Sequence, residues 1–163
     1  MALDITFESA ERLSNEDLLD FFTRQSDGEV IDLDPDNPFL RTPGMDITTY
    51  AISPVDTDQE EEEDRHAAKI GFRRRILADF RIRGIAGLDE RLSGWEMMLN
   101  AVIAFTRMYP AEAALIFNGE EVLMRCHNGK IIFDTSEYFK EEPSLAAIVS
   151  RHRQETLEQP LMG

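Results

Sequence analysis

The chain has 163 residues, 42% of them hydrophobic, which predicts one globular domain over residues 1–163 and excludes a disordered chain. Thirty-two acidic against 17 basic residues give a formal charge of −15. This charge argues against nucleic acid and membrane as partners, because both are polyanions, and it favours a basic partner. Solubility alone would also explain such acidity.

The first third of the chain predicts short strands and one helix. Residues 3–8 alternate apolar and polar side chains, as a strand with one wet face does. Ser14, three residues before Asp17, marks the start of a short helix. Brief strands are expected at 29–33 and 45–53, and the three prolines between 34 and 44 indicate a loop.

An acidic run follows, with seven carboxylates in nine residues. Its members are Asp56, Asp58, Glu60, Glu61, Glu62, Glu63 and Asp64. Because like charges repel and bury little, we expect a solvated, mobile loop over about residues 55–68.

Residues 74–83 predict a clearer strand. Four apolar side chains point one way, and four charged side chains point the other. The two sets are Ile76, Ala78, Phe80 and Ile82, and Arg75, Asp79, Arg81 and Arg83. Since the acidic run is the nearest source of carboxylates, we expect ion pairs between it and this arginine-rich segment.

The main helix is expected to begin at Ser93. Ser93 and Glu96 form a capping box, a broad apolar stripe follows at helical spacing, and Pro110 ends it.

Two Asn-Gly pairs, at 118–119 and 128–129, predict a three-stranded meander joined by tight turns. The turn at 118–119 is expected to pair Leu115 with Val122 and Ala113 with Met124. The turn at 128–129 is expected to pair three sets of residues: His127 with Lys130, Cys126 with Ile131 and Met124 with Phe133. These registers put one apolar set on a single face and give Cys126 the role of a buried thiol. The face comprises Ala113, Leu115, Phe117, Val122, Met124, Cys126, Ile131 and Phe133.

A helix over 144–152 and a flexible tail over about 154–163 complete the chain. The fold class is therefore α+β: an antiparallel sheet, including a three-stranded C-terminal meander, with one main helix packed on a face.

We find no motif of catalysis. The sequence lacks a phosphate-binding glycine loop and a nucleophile elbow, and its single cysteine and three separated histidines predict neither a disulfide nor a metal site. Asp79 and Glu112 are the only carboxylates next to apolar strands that suit acid–base chemistry. We therefore expect a binding protein with no cofactor, and not an enzyme.

The segments 94–102, 109–110 and 114–122, with sequences GWEMMLNAV, YP and ALIFNGEEV, resemble a family of bacterial toxin-immunity proteins. These are similar to the myxobacterial swarm-inhibition immunity proteins. The resemblance covers roughly 76–133, with a weaker similarity in the opening strand and the helix from Ser14. The acidic run is not expected from the family pattern.

The resemblance implies a cytoplasmic protein that binds and neutralises a cognate protein toxin, and it transfers no catalytic residue. The expected mechanism is occlusion, in which the seven carboxylates of the acidic run contact a basic cleft of the toxin. A merely solvated charged segment is the competing interpretation. Arg73 to Arg75 could instead meet an acidic partner.

Two other functional classes stay open. A small acidic α+β protein could be a secretion chaperone that binds an extended segment of an effector protein. An enzyme of unfamiliar type would require a formed pocket with inward polar groups. Neither the oligomeric state nor the toxin's activity follows from the sequence.

Overall fold

The computed structural model describes residues 3–34, 36–52, 57–83, 87–135 and 139–162, which contain nine strands and four helices. In chain order these are β1 (Leu3–Ser9), α1 (Asn15–Ser26), β2 (Glu29–Ile31), β3 (Phe39–Thr42), β4 (Met45–Ala51), α2 (Thr57–Ile70), β5 (Ile76–Ile82), α3 (Leu88–Met108), β6 (Ala113–Phe117), β7 (Glu121–His127), β8 (Lys130–Asp134), α4 (Pro143–Val149) and β9 (Arg153–Glu155). The predicted α+β class is confirmed. Strand β3 lies within the segment that we expected to be a loop.

All nine strands join one sheet in the order β2-β3-β4-β5-β1-β6-β7-β8-β9. The opening strand lies near its centre, hydrogen-bonded to β5 on one side and β6 on the other. Among the described strands, only β8 and β9 pair in parallel. The alternation in residues 3–8 gives β1 two faces, with Ile5 and Phe7 in the main core and Asp4 and Thr6 on the opposite side.

Helices α1, α3 and α4 pack on the first of these faces. Phe105 of α3 is fully buried, with its ring 5.3 Å from that of Phe7 and 5.2 Å from that of Phe21. Ser14 caps α1 as predicted, accepting a hydrogen bond from the Asp17 amide. No helix of the described ranges is long and apolar enough to cross a bilayer.

The main helix begins earlier than the capping box indicated. Its N-cap is Gly87, and Ser93 and Glu96 lie inside the helix. Asp89 and Glu90 occupy its first turn, where carboxylates are favoured by the helix dipole. The capping box at Ser93 was therefore wrong as a start signal, because the preceding residues are themselves good helix formers.

The acidic run is helical from Thr57 onward, which corrects the loop predicted over 55–68 wherever the structure describes it; residues 55 and 56 lie outside the described ranges. Residues 57–70 are helical and pack on the sheet face opposite α1 and α3. The end of α2 is anchored by Ile70, which joins Phe72, Ile116 and Val122 in a second apolar cluster. Glutamate is a good helix former, and carboxylates near a helix start are stabilised by its dipole, which offsets their repulsion.

The second hairpin has the predicted register, and the first does not. Cys126 pairs with Ile131, and Asn128 and Gly129 both have positive φ, as expected. In the first hairpin Leu115 pairs with Met124 instead of Val122: the turn already pairs Phe117 with Glu121, and the register shifts once more between Leu115 and Ile116. Val122 therefore lies opposite Ile116 and joins the second cluster, away from the face that we predicted for it.

The predicted flexible tail is also corrected where the structure describes it. Arg153–Glu155 forms β9, and Leu157 and Leu161 pack against the second cluster. The Gln159 side chain bonds both backbone groups of Val122, at 2.7 and 3.1 Å.

Candidate partner-binding surface

The seven predicted contact residues have different environments. Asp56 lies outside the described residues, and Asp58 lies in the first turn of α2. Three glutamates of α2 are exposed and form the acidic patch: Glu60, Glu61 and Glu62. Glu63 and Asp64 instead make ion pairs within the protein, with Arg74 and Arg73.

Glu63 fixes α2 to the sheet. Its carboxylate accepts two hydrogen bonds from Arg74, at 2.8 and 2.9 Å, and its side chain is only 13% exposed. The hydrogen bond from Arg74 lowers the pKa of Glu63, against the opposing effect of burial. Arg74 also bonds the buried Glu8 of β1, which lies 2.7 Å from Nε2 of His66 on α2.

These contacts test the predicted ion pairs of the arginine-rich segment. Arg74 pairs with Glu63 of α2, and Arg73, just before the segment, pairs with Asp64, so the expected ion pairs with the acidic run are confirmed at Arg74. They are wrong for Arg81 and Arg83 on the outer face of the strand, which pair with Asp4 and Asp46. Contact of Arg73 to Arg75 with an acidic partner stays a prediction, and such a partner would compete with the internal pairs of Arg73 and Arg74.

Beside α2, strands β3, β4, β5 and β1 have half-buried or exposed side chains on the sheet face opposite α1 and α3, and no described helix other than α2 lies on that face; we call it the open sheet face. One row across it alternates in charge, as the register Arg41–Asp46–Arg81–Asp4 shows. Arg41 lies 3.4 Å from Asp46, and Arg81 lies 3.0 Å from Asp4. Neighbouring charges in this row therefore largely neutralise one another.

The next row holds Asp79 between Thr48 of β4 and Thr6 of β1. Its Oδ1 is buried and accepts no hydrogen bond from any described residue. Burial, followed by the nearby charge of Asp4, raises the pKa of this carboxyl. Asp79 also lines a surface pocket of about 260 Å³ together with Phe39 and Tyr50.

A family model described as SitI3-like matches residues 3–143. The chain belongs to the SitI3-like family. This is a SitI-type family of immunity proteins. No curated protein and no solved structure shows significant similarity to the chain. The resemblance to immunity proteins is confirmed at this level, and the myxobacterial link stays a prediction.

The matched range of this SitI3-like protein contains α2 and the whole open sheet face, and it ends before β9. The two candidate surfaces thus belong to the part of the chain that carries the family signal. Sequence reasoning placed Asp79 on the charged face of its strand and in a possible acid–base pair, but it did not predict the pocket, because strand order brings Phe39 and Tyr50 beside Asp79.

That acid–base pair is not assembled in the SitI3-like fold. Asp79 is opposite Thr6, whereas the backbone carbonyl of Glu112 accepts a hydrogen bond from the N–H of Ala10, just after β1. Ala10 is four residues from Thr6, a separation of about 13 Å along an extended chain. Glu112 instead contacts His127. Among the described residues, no three His, Cys, Asp or Glu side chains are grouped to hold a metal ion.

Proposed function

We propose that this chain is a non-catalytic cytoplasmic immunity protein that binds a cognate toxin and neutralises it by occlusion. The observation that carries the proposal is the SitI3-like match over residues 3–143. The formal charge of −15 supports a toxin with a basic surface, because opposite charge steers association and favours the complex.

The proposed contact is the start of α2. Asp56, Asp58 and the acidic patch would meet the toxin directly, while Glu63 and Asp64 hold the helix in place through Arg74 and Arg73. A helix fixed in this way presents its carboxylates with less loss of conformational entropy than a mobile loop would, which favours tight binding.

The first experiment is co-expression with the protein encoded beside this chain. Rescue of cells from a toxic neighbour, together with co-purification of a stable complex, is the expected result. A harmless neighbour that co-purifies only through an unfolded terminal segment would contradict the proposal and indicate a secretion chaperone.

The contact is tested with the triple variant Glu60→Gln, Glu61→Gln, Glu62→Gln. We expect its Kd for the toxin to rise about tenfold or more and to depend less on salt, because three charges are lost. The matched control is Glu16→Gln, Asp17→Asn, Asp20→Asn, three exposed carboxylates of α1 on the other side of the sheet. Equal affinities of the two triple variants would rule out the acidic patch as the contact.

A further inference from the structure

The Asp79 pocket, on the open sheet face, is a second recognition element. It has a volume of about 260 Å³ and is lined by Phe39, Asp46, Thr48, Tyr50, Asp79 and Arg81. Pockets for small molecules usually measure about 300–1,000 Å³, so this one suits a single side chain better than a cofactor or metabolite.

The charged side chains around the pocket form ion pairs with one another, except for Asp79. Asp46 pairs with Arg41 and Arg83, and Arg81 pairs with Asp4. Asp79 makes no ion pair within 4 Å with any described residue, although the charge of Arg81 acts on it at longer range, and its Oδ1 is closed to solvent without a donor. A partly buried carboxylate in this state lacks compensation for the water it has lost, and a cation entering the pocket would supply it.

The pKa of Asp79 agrees with this geometry. Burial raises it most and the negative charge of Asp4 raises it further, whereas the charge of Arg81 lowers it. The ionised carboxylate is therefore less favoured at this position than in water, and the same desolvated site strengthens the attraction to an incoming positive charge.

Two aromatic rings border the pocket and favour a guanidinium over an ammonium group. Tyr50 is 44% exposed, and the guanidinium carbon of Arg41 already lies 5.4 Å from the centre of the Phe39 ring. Arginine stacks on aromatic faces and is more weakly hydrated than lysine. It therefore gives up less hydration free energy when it enters a pocket of this kind.

Tyr50 also connects the pocket to the acidic patch. It borders a neighbouring cavity of about 350 Å³ that is lined by Gln59 and Glu62 of α2. The two elements are thus contiguous on one side of the sheet, where a single basic partner would cover both.

We propose that the Asp79 pocket receives an arginine side chain of the cognate toxin, which pairs with the Asp79 carboxylate between Phe39 and Tyr50. This inference rests on the proposed function. It adds one specific contact, the Asp79 pocket, to the general electrostatic attraction between the toxin and the acidic patch.

The test uses Asp79→Asn in the full chain, with the co-purified neighbour toxin as the ligand. We expect the Kd to rise about tenfold or more, with no loss of thermal stability because the disfavoured charge is removed. The matched control, Asp20→Asn on the exposed side of α1, should leave the Kd unchanged. No binding by the wild-type chain would overturn the proposed function itself, whereas wild-type binding that Asp79→Asn leaves intact would overturn only the pocket.

Two further measurements separate an anchor from a structural role. Tyr50→Ala should weaken binding several-fold and Tyr50→Phe should not, because the ring and not the hydroxyl makes the contact. Surface arginines and lysines of the toxin are also replaced singly by glutamine. Replacement of one particular arginine should weaken the binding of the toxin to the wild-type chain and should leave its binding to Asp79→Asn unchanged. The proposal would be contradicted if Asp79→Asn were coupled to a toxin lysine or to no toxin residue. It would also be contradicted if the loss of affinity were accompanied by unfolding of the variant.

Discussion

Arg74 donates two hydrogen bonds to Glu63, from Nε to Oε2 at 2.9 Å and from Nη2 to Oε1 at 2.8 Å. Glu63 lies on α2 and Arg74 lies two residues before the start of β5, so the pair connects a helix rich in carboxylates to the sheet. Bidentate pairs fix orientation as well as distance. This contact therefore determines which carboxylates of the acidic run face solvent and which are internal.

Glu63→Gln should lower the free energy of unfolding by about 1–3 kcal/mol, because Arg74 loses its charged acceptor in a partly buried site. Urea denaturation measures the change. Glu61→Gln is the control, since Glu61 lies on the exposed side of the same helix. Equal stabilities of the two variants would show that the Glu63–Arg74 pair does not anchor α2.

Acid should weaken the fold partly through Glu63. Its pKa is lower in the folded protein, chiefly because of the hydrogen bond from Arg74. The unfolded chain therefore takes up this proton first, and the stabilisation present above the ordinary glutamate pKa of about 4.3 is lost as pH falls through the folded value. The stability difference between wild type and Glu63→Gln should accordingly shrink from pH 7 to pH 3. A constant difference would contradict the assignment.

Gly44→Ala should be much more destabilising than Gly119→Ala. Both glycines have positive φ, 84° and 71°, so both variants have the same backbone cost of about 1 kcal/mol. A Cβ at Gly44 would lie 2.2 Å from the carbonyl oxygen of Glu90, whereas nothing lies within 4 Å of one at Gly119. Thermal denaturation of the two variants isolates this steric term, and similar melting temperatures would contradict the close approach.

Gln159→Ala should make the backbone amide of Val122 exchange its hydrogen with solvent more rapidly. The Gln159 amide group bonds both the N–H and the C=O of this buried residue, as a neighbouring strand would. We expect about 1–2 kcal/mol of destabilisation and faster hydrogen exchange at the Val122 amide. Glu158→Ala, at an exposed neighbouring position, is the control and should leave that amide protected.

Cys126 should react slowly with a thiol reagent until the protein unfolds. Its side chain is 1% exposed, and burial, followed by the charge of Glu112, raises the pKa of its thiol. Both effects reduce the accessible thiolate, which is the reactive form. The comparison is the rate in native buffer against the rate in denaturant, and similar rates would contradict the buried role.

Predictions made from short-range patterns were mostly confirmed. The cap at Ser14 and the turn at Asn128-Gly129 depend on residues within a few positions of each other, and the structure has both. The start of α3 was wrong although its signal was also local, because a capping box at Ser93 does not exclude helical residues before it. The helical state of the acidic run was missed because it depends on arginines that follow at Arg73 and Arg74.

The sequence by itself determined the α+β class, the two faces of β1 and β5, the second hairpin and the acidity of the surface, because these follow from side-chain alternation, turn chemistry and composition. Only the tertiary structure decided which carboxylates of the acidic run are exposed to solvent and which form ion pairs within the protein. Glu63 and Glu60 are chemically identical, but Arg74 approaches one of them and solvent surrounds the other. Asp79 became a candidate anchor for the same reason: β4 and β1 flank it and β3 completes its pocket, and local pattern does not determine that arrangement.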